Sequence, residues 1–408
     1  MSASRFPLGA AVTVAALEGD PHALLAELRA HEPVSWLPAL GGWLVTRREE
    51  ALEAMRNARA FTVQDPRFTT GRVVGPSMLS LDGPEHERHR TPFTAPFRLG
   101  AVRARMEATV REETDRLLDE LAPHGAAELR RGFAGPLAAA VVTRTLGLDH
   151  AATDAVLGWY DAIVAAVTDL SAGRPPGPAA ERAVAALGAA VRETPPATGD
   201  LGAGTEPSLL ALAAAGGGLT EAEVTSNAAV LLFGGIETTE GMIANAVVHL
   251  LSEPAALELH RDRLPAVLEE SLRLEPAAAV IDRYATADTL LGEARIERGD
   301  LVRISITAAN RDPATFPDPD RFDPSRANAR RHLAFAGGPH VCVGVHLARL
   351  EAHTALAALL ERLPDLRLDP DRPAQIRGLV FRKPPQLHVL WTPTRSSTVV
   401  VPACPAQK

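Results

Sequence analysis

The sequence predicts a mainly helical protein with a few short β-strands. Alanine and leucine, both strong helix formers, are abundant among its 408 residues, whereas aromatic residues make up only 4%. Most long segments carry apolar residues at helical spacing, and strand-like alternation is confined to short stretches between glycine turns. Together these observations favour a mainly α fold with small β-sheets.

The elements before the middle of the chain are predicted first. Residues 6–17 are mostly apolar and have the length of a secretory signal, but Pro7, Gly9 and Thr13 interrupt them, so we expect an N-terminal arm packed on the core. A strand is expected at 42–46. Helical spacing predicts helices at 21–30, 49–58, 102–121 and 134–146. Loops rich in proline and glycine are expected at 173–178 and 195–207.

One helix is predicted to be unusually long. Thr220 and Glu223 form a capping-box pattern, and the apolar pattern continues to Leu251, just before Pro254. A helix of this length would span about 45 Å at 1.5 Å per residue and would cross the whole molecule.

The C-terminal part mixes both kinds of element. A helix is expected at 265–274, and short strands at 284–306, with turns at Gly292 and Gly299. An irregular proline-rich stretch is expected at 312–324, a final long helix at 342–363, a strand pair near 379–391 and a flexible tail at 392–408.

Composition excludes several classes of protein. The chain has 42 Lys and Arg against 50 Asp and Glu, a net charge of −8, which argues against a generally basic nucleic-acid binder. The longest interior apolar run, residues 228–236, is half the length of a membrane span. Two cysteines cannot form a disulfide framework, so we expect a reducing, cytoplasmic setting.

The strongest motif is a glycine-rich loop before the final helix. It contains Phe335, Gly338, His340, Cys342 and Gly344. A cysteine at a helix N-terminus is stabilised as a thiolate, and a thiolate is a known axial ligand of haem iron. In isolation a lone cysteine would be a small buried hydrophobe. A zinc site with His346 as a further ligand is a competing interpretation, but it leaves the glycines and the phenylalanine unexplained.

The complete spacing F-x-x-G-x-H-x-C-x-G resembles the haem-binding signature of the cytochrome P-450 family, in its bacterial, actinomycete-like soluble form. The resemblance extends from about residue 20 to residue 391. It implies the cytochrome P-450 fold, a triangular prism in which haem b lies between a long central I-helix and an L-helix, here 220–251 and 342–363. It also implies one catalytic domain over residues 1–391, with Cys342 as the metal ligand.

The long helix carries a second matching motif. Gly234 and Gly235 precede Glu237 and Thr238, which resembles the family's A/G-G-x-D/E-T motif. Paired glycines inside a helix cost about 1 kcal/mol each, and they would let the helix widen or a ligand approach its backbone. The resemblance implies that the alcohol of Thr238 hydrogen-bonds dioxygen and that Glu237 relays protons from solvent. Without the cysteine loop, the same residues would be read as a packing glycine and a surface pair.

Cationic residues match the family's contacts to the haem propionates. His86 and Arg90, four apart on one helix face, resemble its H-x-x-x-R pattern, and His340 and Arg283 match two further contacts. Arg283 could instead form a salt bridge with its neighbour Asp282.

A structural motif lies earlier in the chain than the cysteine loop. Glu270 and Arg273 resemble the family's E-x-x-R pair, which closes a buried network with an arginine of the proline-rich meander. Arg326 is the first choice for that arginine and Arg321 the second.

The resemblance implies a haem-thiolate monooxygenase that uses O2 and two electrons. The chain lacks a flavin or nicotinamide motif, so electrons are expected from a ferredoxin and its NAD(P)H-dependent reductase. A local basic patch of Arg330, Arg331, His332 and Arg349 would suit an acidic ferredoxin, although these residues could serve solubility alone. Alternatives are peroxide-driven oxidation, oxidative coupling or rearrangement, and, more remotely, a haem sensor or carrier.

Apolar residues near these motifs are the expected substrate pocket. They are Met78, Leu79, Val230, Phe233, Ala278, Ala279, Val280 and Phe381. Such a wall favours an apolar, medium-sized substrate such as a terpenoid, polyketide, steroid or similar secondary metabolite. We expect a monomer that binds neither nucleic acid nor membrane.

Overall fold

Helices dominate the computed structural model, which describes residues 5–149, 151–171, 174–194, 208–252 and 262–393. The α-helices are α1 (Pro7–Ala11), α2 (Val14–Glu18), α3 (His22–His31), α4 (Arg48–Arg56), α5 (Thr69–Val74), α6 (Gly83–Thr94), α7 (Leu99–Leu121), α8 (Gly135–Leu146), α9 (Thr153–Ser171), α10 (Pro178–Glu193), α11 (Leu209–Ala215), α12 (Glu221–Ser252), α13 (Leu264–Leu274), α14 (Ile306–Ala309) and α15 (Val345–Arg362). The predicted helices therefore occur close to their expected positions, and the mainly α fold class is confirmed.

The strands form small sheets. They are β1 (Val34–Leu37), β2 (Gly42–Val45), β3 (Phe61–Thr62), β4 (Ala126–Glu128), β5 (Val280–Ala285), β6 (Thr289–Leu291), β7 (Ala294–Ile296), β8 (Leu301–Ser305), β9 (Arg367–Leu368) and β10 (His388–Leu390). The largest sheet has the order β1-β2-β8-β5-β3, with β2 and β8 parallel and the other pairs antiparallel. A second sheet has the order β4-β10-β9, and β6 and β7 form a hairpin.

Helix α12 runs for 32 residues through the largest hydrophobic core. The capping box at its start is formed as predicted. The amide of Glu223 donates to Thr220 Oγ1 over 3.3 Å, and the amide of Thr220 donates to Glu223 Oε2 over 2.8 Å. The helix packs on α8, α10, α13 and α15, so side chains around most of its circumference are buried. It can therefore present groups to the interior along its whole length.

The N-terminal arm packs on the core. Val12 and Leu17 are buried together with Leu25 and other residues of α3 and the large sheet. The main-chain amides of Leu8 and Gly9 donate to the carboxylate of Glu32, so the first turn of α1 is held by a charged acceptor. The segment is thus a folded part of the structure. Among the described residues, no helix is both long and apolar enough to cross a membrane.

Two predictions about the C-terminal part are wrong. The final helix begins at Val345 rather than at the cysteine, because Gly344 is its N-cap and residues 338–340 form a 3-10 turn. The strand pair expected within 379–391 is not a hairpin. Only β10 is a strand there, and it pairs with β4 and β9, while residues 377–383 form a turn with isolated bridges.

Three predictions reach beyond the part of the chain that the structure describes. The loop expected at 195–207 lies outside it, as does the start of the loop at 173–178. The tail is covered only as far as residue 393, so Cys404 lies outside as well.

Candidate active site

An interior cavity of about 340 Å³ connects the motifs singled out in the sequence. It lies between α12, the start of α15 and the loop that carries the cysteine. Its wall includes these residues of the predicted cofactor and catalytic set: Arg90, Gly234, Thr238, Arg283, Phe335, His340, Cys342 and Gly344. Groups separated by more than 200 residues in the chain thus face one space.

The cysteine loop is fixed by its backbone. The amide of Cys342 donates to the carbonyl of Phe335 over 2.9 Å, which closes the loop. Gly338 has a φ of +71°, and a Cβ atom there would lie 2.5 Å from the carbonyl oxygen of Met55 in α4. The position therefore needs glycine both for its backbone angle and for the close approach of α4.

The thiol of Cys342 faces the cavity. The residue is accessible although it lies deep in the protein, because its open side is the cavity wall. Burial raises the pKa of the Cys342 thiol, while the amide of Gly344 and the nearby charges of Arg90 and Arg349 act in the opposite direction. A positive metal centre would complete this environment and favour the thiolate.

The zinc interpretation does not fit the geometry. Nε2 of His340 lies 2.8 Å from the carboxylate of Asp82, so that ring is already engaged. Within the described residues, the only three His, Cys, Asp or Glu side chains grouped closely enough for a metal are Glu85, His89 and Glu223. The guanidinium of Arg88 already pairs with both carboxylates of that group.

His86 lies behind His340. It is buried, its ring centroid is 4.4 Å from that of His340, and its Nε2 atom has no hydrogen-bonding partner among the described residues. Burial lowers the pKa of His86 to about 4, and the neighbouring His340 and Arg90 act in the same direction. A buried ring nitrogen without a partner indicates a site for a missing acceptor or donor.

The two predicted arginines face the cavity with few anionic partners. Arg90 donates to the carbonyl of Val341 over 2.6 Å. Arg283 donates to the carbonyl of Asp282, and burial lowers its pKa to about 10. The alternative salt bridge between Arg283 and Asp282 is not formed, because the Asp282 carboxylate binds Arg303 at 2.7 and 2.8 Å. In the part of the chain that the structure describes, the guanidinium of Arg283 thus has no carboxylate hydrogen-bonding partner.

The glycine pair of α12 serves two different purposes. A Cβ on Gly234 would point into open space on the cavity side, whereas a Cβ on Gly235 would lie 3.1 Å from Val142 of α8. The first glycine leaves room for a ligand and the second allows two helices to pack. Helix α12 is continuous through this pair, from Glu221 to Ser252. The hydroxyl of Thr238 donates to the carbonyl of Gly234 over 2.6 Å.

Glu237 does not line the cavity. It is buried on another side of α12, where it accepts a hydrogen bond from Tyr160 of α9 and lies 2.7 Å from Lys383 Nζ. Lys383 also lies 2.8 Å from Glu240, whose other oxygen is 2.9 Å from Arg130 Nε. Burial and the two carboxylates raise the pKa of Tyr160, so its hydroxyl stays protonated. The acid therefore belongs to a buried ionic cluster.

The E-x-x-R pair forms a fully buried network. Arg273 binds Glu270 through two bonds of 2.8 Å. The same carboxylate accepts Arg326 Nε over 3.1 Å and the amide of Asp323 over 3.0 Å. Arg326 is therefore the arginine of the proline-rich segment that binds Glu270, as predicted. Arg321 contributes its carbonyl to both arginines, while its own side chain pairs with Asp323.

Most of the predicted pocket residues line the cavity. The set found there is Met78, Leu79, Val230, Phe233, Ala278, Val280 and Phe381. The rings of Phe233 and Phe381 meet edge to face with centroids 5.5 Å apart. Ala279 is a correction, because its amide and carbonyl are bonded to Val380 and to Ile306, and it lies behind the wall.

Comparisons with known proteins agree with this arrangement. Residues 260–390 match the sequence profile of the Cytochrome P450 family. Cytochrome P450 107B1 of Saccharopolyspora erythraea is 34% identical over 375 residues, which cover 86% of this chain and 89% of that relative. The chain belongs to the cytochrome P450 family. It is an oxygenase that uses haem with a cysteine thiolate ligand, O2 and electrons from redox partners.

Other relatives extend the comparison. Mycinamicin IV hydroxylase/epoxidase of Micromonospora griseorubida is 34% identical over 383 residues, 90% of this chain and 94% of that protein. The structure of CYP109Q5 from Chondromyces apiculatus matches with a TM-score of 0.81 and 30% identity over 94% of this chain and 98% of that one. CalO2 matches with a TM-score of 0.80 and 30% identity over 92% and 96%. The P450 fold is confirmed.

The residues of the cavity fit a haem. Cys342 offers a sulfur ligand, and Gly234 and Gly344 leave both neighbouring walls without side chains. The guanidinium of Arg283 lies in the cavity wall, whereas His86 does not line the cavity and packs against His340, which does. Among the described residues neither Nε2 of His86 nor the guanidinium of Arg283 has a carboxylate partner, and both suit the carboxylates that a haem supplies as propionates.

The predicted basic patch of this P450 is smaller than expected. Arg330 and Arg331 are exposed, but His332 is buried and lies 3.2 Å from Glu269. Arg349 binds the same carboxylate at 2.6 Å. Including His332 was wrong, because the sequence does not reveal that Glu269 lies against it.

Several functional groups were missed by the sequence analysis. Tyr160, Lys383 and Glu240 surround Glu237, yet no local pattern links them to it. Asp82 binds His340, although only its place before α6 is visible in the sequence. Glu351 also lines the cavity, and its place on the buried face of the final helix could have been recognised from the spacing of the apolar residues.

Proposed function

We propose that this P450 hydroxylates or epoxidises an apolar, medium-sized secondary metabolite. The supporting observation is one largely apolar cavity whose wall contains both Cys342 and Thr238, with Phe233 and Phe381 beside them. An apolar wall with few polar groups selects apolar ligands of matching shape. Mycinamicin IV hydroxylase/epoxidase is a relative whose name gives these two reactions, and the name of another relative, Nocardicin C N-oxygenase, gives an oxygenation at nitrogen.

Cofactor binding is assigned to the predicted set. Cys342 would ligate the iron, and His86, Arg90, Arg283 and His340 would hold the propionates. Phe335, Gly344 and Gly234 would border the macrocycle. When bound, haem supplies the activation of O2 by two electrons. Asp82 would orient His340, since the two are bonded at 2.8 Å.

Proton delivery is assigned to α12. Thr238 would hold dioxygen through its hydroxyl, which now donates to the carbonyl of Gly234 and can rotate toward the cavity. Glu237 would bring protons from the surface side through Lys383 and Tyr160, its partners in the ionic cluster. Because Glu237 lies outside the cavity wall, its carboxyl must rotate toward Thr238 to deliver a proton.

Electrons are proposed to come from an acidic ferredoxin served by an NAD(P)H-dependent reductase. Exposed Arg331, which follows exposed Arg330 in the chain, lies near Arg48 of α4, as does Arg56. The pKa of Arg48 is lowered first by its burial and then by the positive charges of Arg331 and Arg56. The helix α4 packs against the cysteine loop at Gly338. These arginines would attract an acidic partner to the protein surface next to the loop that carries Cys342.

We also propose that residues 1–391 act as one catalytic domain and that 392–408 is a tail. The residues that line the one cavity come from positions between 63 and 381, which supports a single domain. The two cysteines of the chain support a reducing, cytoplasmic location.

The first experiment is the spectrum of the reduced protein with carbon monoxide. The long-wavelength Soret band expected of thiolate ligation supports the proposal, and Cys342→Ser should lose it. Turnover with ferredoxin, reductase and NAD(P)H should then exceed turnover with peroxide. Faster peroxide-driven turnover would favour the peroxide alternative.

Substrate class is tested by titrating apolar, charged and very small ligands while the Soret band is recorded. Apolar ligands of medium size should shift it. Shifts only with charged or very small compounds would contradict the proposal, and a protein without ligand-dependent oxygen uptake would favour a haem sensor or carrier.

A further inference from the structure

The segment at residues 75–80, between α5 and α6, is fastened to the long helix by one buried side chain. Oδ1 of Asn227 in α12 accepts the main-chain amide of Met78 over 2.9 Å, and Asn227 is fully buried. The side chain of Met78 lines the cavity, whereas Asn227 does not. Val230, one turn later on α12, lines it as well. Asn227 therefore acts on the cavity wall indirectly, through the backbone of a residue that belongs to it.

A second contact holds the same segment close to α12. Gly75 has a φ of +87°, and a Cβ atom there would lie 2.9 Å from Oγ of Ser226, the neighbour of Asn227. Within the segment, the amide of Ser77 donates to Oγ of Ser80 over 3.0 Å, and both serines are buried. The segment is thus a compact turn packed against one turn of the helix, and its position depends on that contact.

The amide group of Asn227 has a fixed orientation. Its Nδ2 atom donates to the carbonyl of Glu223 over 2.7 Å and lies 2.9 Å from Nδ1 of His89 in α6. Because Nδ2 can only donate, Nδ1 of His89 must accept, so the proton of the neutral ring is on Nε2. That atom lies 3.3 Å from the carboxylate of Glu223. Exchanging the oxygen and nitrogen of Asn227 would place a donor against the amide of Met78, which cannot accept it.

The carboxylate of Glu223 joins this network to the start of α12. It accepts the amide of Thr220 over 2.8 Å and two hydrogen bonds from the guanidinium of Arg88. These bonds, that of Arg88 first, hold the pKa of Glu223 well below its usual range, so the carboxylate is ionised beside His89. Arg88 and His89 both belong to α6, the helix that follows Met78. The segment is therefore held between two helices that are themselves bonded together.

We propose that Asn227 is a positioning residue for ligand selection: by holding the amide of Met78, it sets how far that side chain projects into the cavity and so which ligand lengths are accepted. His89 and Glu223 act one step further away, because they hold the amide group of Asn227 in its orientation. The role in turnover rests on the proposed monooxygenase function, but the fixed position of Met78 is a property of the chain itself.

The first test measures hydrogen–deuterium exchange of the haem-loaded protein by mass spectrometry, in peptides that cover residues 75–80. Asn227→Leu has a similar size but no acceptor, so exchange there should rise roughly tenfold. Asn227→Asp keeps the acceptor, since His89 can then carry its proton on Nδ1, and should stay close to the wild type. Thr114→Val removes a buried hydroxyl that bonds only within α7, and should leave these peptides unchanged.

Two results of this experiment would overturn the proposal. The first is unchanged exchange at 75–80 in Asn227→Leu. The second is equally fast exchange in Asn227→Asp and Asn227→Leu, because the acceptor atom would then have no effect. If Asn227→Leu does not fold, Asn227→Ser is measured in its place, since its shorter side chain cannot reach the amide of Met78, and the same rise is expected.

The second test titrates N-alkylimidazoles of increasing chain length, whose ring nitrogen binds haem iron and changes the Soret band. Asn227→Leu should bind long chains severalfold more tightly than the wild type, with short chains unaffected, because Met78 is released from its position. In a Met78→Ala background, adding Asn227→Leu should have little further effect. Purely additive effects of the two substitutions, or an equal change for long and short chains, would contradict the route through Met78.

Failure of this proposal and failure of the proposed function give different results. A protein without the thiolate spectrum contradicts the proposed function, while exchange at residues 75–80 still decides the role of Asn227. Normal turnover together with an unchanged preference for chain length in Asn227→Leu overturns the role of Asn227 alone.

Discussion

The rings of His86 and His340 lie 4.4 Å apart, centroid to centroid, at an angle of 48°, and they are bonded in different ways. Nε2 of His340 is held by Asp82, whereas Nε2 of His86 is buried without a partner. Asp82 is anchored in turn by Thr62 and the amide of Val63. The pair therefore combines an imidazole of fixed orientation with one that still has a bond to make.

Replacing His86 by Phe should weaken haem retention. Phe preserves the ring contact with His340 but removes the nitrogen available to a propionate, and a hydrogen bond to a charged group contributes about 1.5–3 kcal/mol. We expect haem to transfer roughly 10 to 100 times faster to a competing haem-binding protein. His124→Phe, at an exposed position, is the control, and equal transfer rates for both variants would contradict the assignment.

Glu270→Ala should give protein that does not hold haem. The change leaves Arg273 buried with only carbonyl acceptors, and loss of one partner of a buried ion pair costs about 3–5 kcal/mol. Unfolding by urea should show this decrease in the free energy of unfolding. Glu293→Ala, on the surface, should unfold like the wild type. A normal haem content in Glu270→Ala would show that the network is dispensable.

Glu275 should make stability depend on pH. Its carboxylate binds Arg382 at 2.6 Å and His22 at 2.9 Å. Burial alone would raise the pKa of Glu275, but these partners and Arg311 lower it to about 2, from 4.5. A lowered folded-state pKa contributes stability above pH 4.5, of about 3 kcal/mol, that is lost as pH falls toward 2.

The comparison with Glu275→Gln isolates this effect from other titrating acids. The difference in free energy of unfolding between the two proteins should be largest at neutral pH and should shrink between pH 4.5 and 2. A difference that stays constant over that range would show that the carboxylate does not titrate as described.

Phe381→Ala should admit larger ligands. Its ring meets Phe233 edge to face on the cavity wall, so its removal opens space without adding a polar group. Ligands too bulky for the wild type should bind roughly tenfold more tightly, measured by titrating the Soret shift. Phe322→Ala removes a ring that stacks on His249 instead, and should leave ligand binding unchanged. If both variants bind bulky ligands equally well, Phe381 does not determine which ligand sizes the cavity accepts.

Local patterns in the sequence predicted much of the fold. The capping box of Thr220 and Glu223 marks the start of α12, and apolar spacing places α7 and α13 within a few residues of their observed ends. The cysteine loop could also be recognised, because its residues act within ten positions of one another. Such features depend on neighbours in the chain.

Contacts over long distances in sequence could not be predicted in the same way. Glu237 was predicted as a proton-relay acid beside Thr238, but the sequence does not show that Tyr160 and Lys383, 77 and 146 residues away, are its partners. His332 seemed to be a surface cation, but Glu269 covers it. Helical spacing determines which residues lie on the same face of a helix. Tertiary packing determines which other part of the chain contacts that face.

The close approach at Gly338 has a consequence for chimeric enzymes. Since a Cβ at this position would lie 2.5 Å from the carbonyl oxygen of Met55, the loop and α4 must be exchanged as a matched pair. A donor loop with any larger residue there would displace either the loop that carries Cys342 or the helix that carries Arg56, one of the arginines proposed to attract the redox partner. Grafting the binding loop alone would thus disturb the proposed partner surface together with the position of Cys342.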